Sequence, residues 1–280
     1  MPPLSETFAQ VRPRLVGLAY RMLGSVAEAE DVVQDVALRY LNLEIEVHSP
    51  DRYLSSMTAR ACLDHLRSSR HRREVYPGPW LPEPLSSQTD RIAGPDESVE
   101  REEQISYAFV VVLQTLSPLE RAAFLLHDVF GYGYAEIGDI LGRSEPACRQ
   151  LISRARKNIR ARRPRFDTGP SEKSRIVERF LKAARDGDLP GLITVLSDDV
   201  TLFADGGGRS ATATRPVTGA NRVARLMTGI FRRTPGYDLR LGKANGELSG
   251  VVCGPHGVDS VISCEVAAEH ILTIYIQRNP

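Results

Sequence analysis

Apolar positions recur at helical spacing through the first 200 residues or so, and strand-like alternation dominates the last forty. Leu15, Leu18, Ala19, Met22 and Leu23 share one helical face, and Gly24 ends that helix. Ser25 with Glu28 is a capping box for the next helix, whose apolar face is Ala29, Val32, Val33, Val36, Ala37 and Tyr40. Glu28, Asp31, Gln34, Asp35 and Arg39 fall off that face and leave a mainly acidic exposed side. Taken alone, such a side is most often merely solvated. A third helix opens at Ser49-Pro50-Asp51, with Pro in the first turn where its missing N–H costs nothing. It directs Tyr53, Leu54, Met57 and Ala61 inward. Its second half is basic: Arg60, His65, Arg67, Arg70, His71, Arg72 and Arg73, with Asp64 the one acid.

A second helical block follows at 103–168. Ile105, Ala108, Val112, Leu113 and Leu116 give one helix. Ser117-Pro118-Leu119-Glu120 is a capping box opening another, which carries Leu119, Ala122, Ala123, Leu126 and Val129. Gly131-Tyr132-Gly133 breaks it. Tyr134, Ile137, Ile140 and Leu141 then repeat in a short helix. Gly142 suits a left-handed helix end, and Ser144 and Pro146 suit the start of a second helix. In that helix Cys148, Leu151, Ile152, Ala155 and Ile159 face one way. Arg149, Gln150, Ser153, Lys157 and Arg160 face the other. A short helix, a Gly turn and a basic, hydrogen-bonding second helix suit a reader of the DNA major groove. The alternative is a helical hairpin with a solvated basic face.

Residues 172–280 begin with helices and end with strands. Ile176, Val177, Phe180, Leu181 and Ala184 make an amphipathic helix, ended near Asp186-Gly187-Asp188, and 189–196 a shorter one. Residues 200–204 alternate as a strand before Asp205-Gly206-Gly207-Gly208. A helix at 220–233 turns Val223, Leu226, Met227 and Ile230 inward. Strands are expected at 237–244, 248–253, 258–266 and 270–277, with Asn245-Gly246 as a type I′ hairpin turn. Helices followed by a curved antiparallel sheet make an α+β cone.

Charge changes the picture more through its placement than its total. The net formal charge is +1. Between Arg143 and Arg165 there are nine Arg/Lys and one acid (Glu145), a net of +8, which attracts phosphate. The basic end of the third helix exceeds what a helix C-terminus alone would favour, and it reads as a second nucleic-acid surface. Residues 82–103 hold seven acids against two arginines, a net of −5. That region, 76–102, has five prolines and reads as an extended acidic linker between blocks 1–75 and 103–168. Trp80, the single tryptophan, sits in it among prolines, and its apolar surface is expected to dock. Four scattered cysteines show neither metal-ligand nor disulfide spacing, which fits a reducing cytoplasm. No metal or cofactor is expected. No signal-peptide or membrane-spanning pattern is present, so no membrane partner is expected.

The two helical blocks resemble the domains of an extracytoplasmic-function (ECF) sigma factor. AEAEDVVQDVALRYL (27–41) is similar to the most characteristic stretch of sigma region 2. LSPLERAAFLLHDVFGYGYAEIGDILGRSEPACRQLISRAR (116–156) is similar to sigma region 4. The resemblance implies that core RNA polymerase and promoter DNA are the partners. It implies that Asp31, Gln34 and Asp35 dock on the β′ coiled coil, with the β flap as a further polymerase contact. It implies that the 50–70 helix reads the −10 element as melted DNA, through Arg60, Asp64, Arg67 and Arg70. It places Ser144, Glu145, Arg149, Gln150, Ser153, Arg154 and Lys157 at the −35 major groove. Tyr53-Leu54 replaces the usual Trp-Leu opening of the third helix, and Arg60 replaces a common Asn, so the −10 preference does not carry over.

The C-terminal block resembles the SnoaL-like polyketide cyclases. One subgroup of ECF sigma factors carries such a fused domain together with a WLPEP linker and a DGGG loop. Here these are Trp80, Leu81, Pro82, Glu83 and Pro84, and Asp205, Gly206, Gly207 and Gly208. In that subgroup the fused domain replaces a separate anti-sigma factor. A triple glycine lets another backbone approach closely, so the loop is expected to meet the Trp80 linker and set the spacing of the two sigma domains. Two other classes of function compete. A stand-alone helix-turn-helix regulator with a ligand-sensing cone would not need the 27–41 helix. An enzyme would need a general acid or base from Asp205, His256 and His270, which form no catalytic pattern. A small-molecule ligand that is only sensed in the cone stays open.

Overall fold

A computed structural model of the chain describes residues 4–43, 47–74, 78–85, 105–162, 168–207, 215–234 and 236–278. It divides into two compact units. One joins Met1–Glu74 with Val110–Arg163, and the other joins Val75–Phe109 with Pro164–Pro280. The extended residues 79–85 thus belong with the C-terminal cone.

In the first unit α1 (Leu4–Leu23) packs on α2 (Val26–Leu41) and α3 (Pro50–Glu74). Gly24, at φ 77°, turns the chain between α1 and α2, and the Ser25 hydroxyl accepts from the Glu28 amide. Leu15, Leu18, Met22 and Leu23 of α1 are fully buried, as are Val33, Val36 and Tyr40 of α2. The buried face of α3 differs from the one the sequence suggests. Leu54, Ser55, Thr58, Ala59, Cys62, Leu63 and Leu66 are buried, while Tyr53, Met57 and Ala61 are half-exposed. Thr58 is accommodated there because the helix backbone satisfies it: its Oγ1 donates to the Leu54 carbonyl at 2.9 Å.

The second helical block comprises α4 (Tyr107–Gln114), α5 (Pro118–Phe124), α6 (Tyr134–Leu141) and α7 (Glu145–Arg162). The full capping box of Ser117 and Glu120 starts α5. A π-turn at Leu125–Val129 then continues it. Its wider turn shifts the helical phase. Leu125 and Leu126 are fully buried, whereas Val129, expected inward, is 38% exposed.

The second unit contains α8 (Pro170–Asp186), α9 (Leu189–Val195), α10 (Ala220–Arg233) and a six-stranded sheet. Its strands are β1 (Leu196–Asp205), β2 (Val217–Thr218), β3 (Asp238–Ala244), β4 (Glu247–Gly254), β5 (Gly257–Ala267) and β6 (His270–Arg278), in the order β2-β1-β6-β5-β4-β3. The sheet is mixed: β1 and β6 run parallel and the other pairs are antiparallel. The parallel pair arises because α10 and the β3–β5 meander intervene before the chain returns beside β1. Asn245 (φ 51°) and Gly246 (φ 76°) make the β3–β4 turn left-handed at both positions. One sheet face packs on the helices through Phe180, Leu192, Met227, Ile262, Ile271 and Ile274. Residues alternating with these, including Val251, Val261, Phe203 and Tyr275, face the other side.

Candidate nucleic-acid interface

The helix-turn-helix is built around a close approach that the sequence pattern does not reveal. Gly142 is left-handed (φ 63°, ψ 45°), and the Arg143 amide returns to the Gly138 carbonyl at 2.9 Å. A Cβ on Gly138 would lie 2.6 Å from the Arg143 carbonyl oxygen. Gly138 therefore lets the turn fold flat on α6. The Cys148 amide donates to the Ser144 carbonyl and begins α7.

Cys148, Leu151, Ile152, Ala155 and Ile159 bury the inner face of α7. Ser144, Glu145, Arg149, Gln150, Ser153, Arg154 and Lys157 are all exposed. A groove of about 440 Å³ runs beside them, lined by Tyr134, Arg149, Ile152, Ser153, Arg156, Lys157 and Arg160. Its side chains are held from below. Arg156 forms a two-pronged pair with Asp128, at 2.6 and 3.1 Å, which pushes its pKa further up. The Arg149 guanidinium lies 4.2 Å from the Tyr134 ring centroid and pairs with Glu145. Arg154 is drawn toward Glu120 Oε1 at 3.2 Å. Tyr134 and Arg156 complete this surface. Sequence periodicity pointed to Tyr134 only as an apolar position.

Of the −10 candidates on α3, Arg60, Asp64 and Arg67 are exposed. Arg60 is turned onto the helix-turn-helix: Nε donates to the Ile140 carbonyl and Nη2 to the Asp139 carbonyl, both at 2.9 Å. It thus caps the negative C-terminal end of α6. Arg67 pairs with Asp64 at 3.0 Å on the exposed side of α3. The Arg70 side chain lies outside the described residues, as do those of His71, Arg72 and Arg73.

Arg60 belongs to a wider contact between the two helical blocks of the first unit. The Tyr132 hydroxyl donates to the Arg52 carbonyl at 3.0 Å, the Arg52 guanidinium sits 5.1 Å from the Tyr132 ring, and Arg52 also pairs with Glu136. On the other flank Arg121, 3% exposed, donates to the Met22 carbonyl at the end of α1 and to Gln114 Oε1. Gln114 Nε2 donates to the Arg21 carbonyl at 3.3 Å. An arginine from each block therefore caps a helix C-terminus of the other.

Asp31, Gln34 and Asp35 lie on the exposed face of α2. The same face continues into Leu38, 56% exposed, and Leu41, 44% exposed. Neither leucine stands out in the sequence, because the apolar periodicity of α2 belongs to its buried face of Ala29, Val32, Val33, Val36 and Tyr40. The 3- and 4-residue steps from Asp31 through Leu38 could have revealed the stripe.

In the second unit the linker is fixed by polar contacts on its backbone. Asp205 is 3% exposed. Its Oδ2 accepts from the Leu81 amide at 2.7 Å and its Oδ1 from the Gly207 amide at 2.9 Å. Leu81, at 5% exposure, is the deeply buried apolar residue of the linker, and Trp80 is half-buried. The prolines explain the shift: between Pro79 and Pro82 the extended chain turns Leu81 to the sheet, where its N–H meets Asp205. Pro82 and Pro84 are buried beside it, and Glu83 is half-exposed. Three contributors escaped the sequence reading. The Tyr107 hydroxyl donates to the Pro82 carbonyl at 2.8 Å, and its ring meets Tyr275 edge-on at 5.6 Å. Asn245 exchanges two hydrogen bonds with the Leu85 backbone, at 2.8 and 3.0 Å. Gly206 is half-buried and Gly207 is left-handed at φ 65°. Gly208 and residues 86–102 of the linker lie outside the described residues.

Asp205, His256 and His270 are not brought together. Asp205 pairs with Gln277, seven residues along β6 from His270, a span of about 23 Å at strand rise. His256 lies in the β4–β5 turn. Among the described residues there is no cluster of three or more His, Cys, Asp or Glu able to hold a metal ion, and no helix is long and apolar enough to cross a membrane.

Family models for "Sigma-70 region 2" and "Sigma-70, region 4" match residues 7–72 and 107–159. The chain is 40% identical over 257 residues to the ECF RNA polymerase sigma factor SigJ of Mycobacterium tuberculosis, covering 90% of this chain and 82% of that protein. It is 32% identical over 227 residues to the probable ECF sigma factor SigI of the same organism, covering 79% and 74%. The crystal structure of M. tuberculosis SigJ superimposes with a TM-score of 0.77 at 34% identity, covering 99% of this chain and 96% of that one.

Proposed function

Starting from the fact that this chain belongs to the extracytoplasmic-function RNA polymerase sigma factors, we propose how its parts divide the work. It is a transcription initiation factor, not an enzyme, and it binds core polymerase and promoter DNA. It works in the cytoplasm, where both partners are. The two helical blocks, 1–75 and 103–168, are the promoter readers. The cone at 172–280 has the SnoaL-like fold and supplies the control that a separate anti-sigma factor would otherwise exert. Its core is built from side chains such as Phe180, Met227 and Ile271. It acts through the linker, which Asp205 and Asn245 hold by its backbone.

The observation that carries the reading is the outer face of α7. Arg149, Gln150, Ser153 and Lys157 are exposed in one stripe above a basic groove. A helix of this shape enters the −35 major groove, with Arg and Gln addressing base edges and Lys157 and Arg160 the phosphates. The second helical block also contacts the β flap. On α2, Asp31, Gln34 and Asp35 meet the β′ coiled coil, and Leu38 and Leu41 supply the apolar part of that contact.

Such reading requires the first unit to open. The two promoter elements lie roughly 25 base pairs apart, on the order of 80 Å at 3.4 Å per step. Here Arg60 of the −10 block touches the carbonyl end of α6. One Arg60 side chain cannot serve both contacts, so the closed unit is an off state that polymerase binding opens. The test is an Arg52→Cys/Glu136→Cys variant joined by a short bis-maleimide. Joined protein should be silent in transcription with core polymerase, and both single-cysteine variants active. Normal initiation by the joined protein refutes the opening step. Capture of core polymerase should be lost in Asp31→Lys/Asp35→Lys; retained capture refutes the α2 contact.

A further inference from the structure

The groove beside α7 contains a stack that its role in DNA contact does not by itself require. The His127 ring lies 4.5 Å from the Tyr134 ring, tilted by 33°. On Tyr134 lies the Arg149 guanidinium, at 4.2 Å. The base of the stack is fixed, because His127 Nδ1 sits 2.8 Å from the Tyr132 carbonyl. Arg156, locked on Asp128, lines the same groove as Tyr134. The Arg149 side chain leaves an exposed helix, where it would otherwise sample many rotamers.

Stacking uses the face of a guanidinium and leaves its edge free. That edge carries the N–H groups that meet guanine O6 and N7 in a bidentate pair. One Arg149 nitrogen is engaged by Glu145, an acid one turn earlier on α7. We propose that Tyr134 is a positioning residue for promoter recognition: it holds Arg149 with its edge outward, so that one −35 position is read as guanine. Tyr134 acts through Arg149 and makes no base contact of its own. The proposal rests on the reading of α7 as the −35 helix.

The experiment uses the full chain bound to core polymerase, competing promoters that differ at each −35 position in turn. Four variants are compared: Arg149→Ala, Tyr134→Leu, Tyr134→Phe and the double variant Tyr134→Leu/Arg149→Ala. Arg149→Ala should erase guanine preference at one position, a loss of about 5- to 150-fold. Tyr134→Leu keeps apolar volume but lacks the ring face. It should cost about two- to fivefold at that same position, with the salt dependence unchanged. Tyr134→Phe keeps the face and should restore the preference. The double variant should be no worse than Arg149→Ala. If Tyr134→Leu weakens binding equally at every position, or leaves the guanine preference intact, Tyr134 is only structural and the proposal fails. If Arg149→Ala itself changes no −35 preference, the failure belongs to the reading of α7.

Discussion

Asp205→Ala should release the linker at Leu81 while leaving the cone folded. Asp205 is 3% exposed and its two carboxylate oxygens accept from the Leu81 and Gly207 amides, at 2.7 and 2.9 Å. A buried hydrogen bond to a charged acceptor contributes ~1.5–3 kcal/mol, and its loss strands a buried donor. Opening at Leu81 therefore becomes easier by that amount, and its amide should exchange with solvent about 10- to 150-fold faster. The Leu85 amide, held separately by Asn245, should change little. Asp205→Asn retains one acceptor oxygen and should fall between. Residue-resolved hydrogen exchange on the full chain reads all three. An unchanged Leu81 amide in Asp205→Ala would refute the backbone clasp. So would uniform acceleration across β1, β5 and β6, since that would mean global unfolding.

Gly138→Ala places a Cβ 2.6 Å from the Arg143 carbonyl oxygen. It should lower helix-turn-helix stability by about 1–3 kcal/mol, visible as a lower thermal midpoint and weaker −35 binding. Lys157→Ala should weaken DNA binding evenly across sequences and reduce the log–log salt slope by about 0.9, read by titration at several salt concentrations. Burial raises the pKa of both Glu247 and Glu265, and the negative charge of Glu265 adds to the rise at Glu247. A raised carboxyl pKa means that the folded state holds protons the unfolded chain has lost. The stability of the second unit should therefore fall as pH climbs from the ordinary glutamate range, about 4.3, through the raised values. Glu247→Gln/Glu265→Gln should flatten this dependence and raise the thermal midpoint at neutral pH.

Local chemistry was legible wherever one residue type dictates one backbone state. Gly24, Gly142, Asn245-Gly246 and the Ser117–Glu120 box ended or began elements where the sequence placed them. The inner face of α7 was legible too, because its apolar residues are larger and more regular than anything competing with them. The buried face of α3 was harder to read. Its inward positions include Ser55, Thr58 and Cys62, so hydrophobicity alone gave the wrong phase. The π-turn at Leu125–Val129 has no compositional mark, and it was enough to rotate Val129 outward.

The sequence by itself determined the element types, the family and the segregated charge, because these depend on spacings of three or four residues and on motif identity. Tertiary structure alone decided what each exposed charge does. Arg60 and Arg149 are both basic residues on helices that read as DNA-facing. One caps α6 from another helical block, 79 and 80 residues away in sequence. The other is stacked on a tyrosine across the turn. A helix C-terminus, an aromatic face and a phosphate all attract a guanidinium, and only the fold fixes which lies within reach. Asp205 follows the same rule: its carboxylate is committed to a backbone amide 124 residues upstream, a distance over which sequence periodicity carries no information.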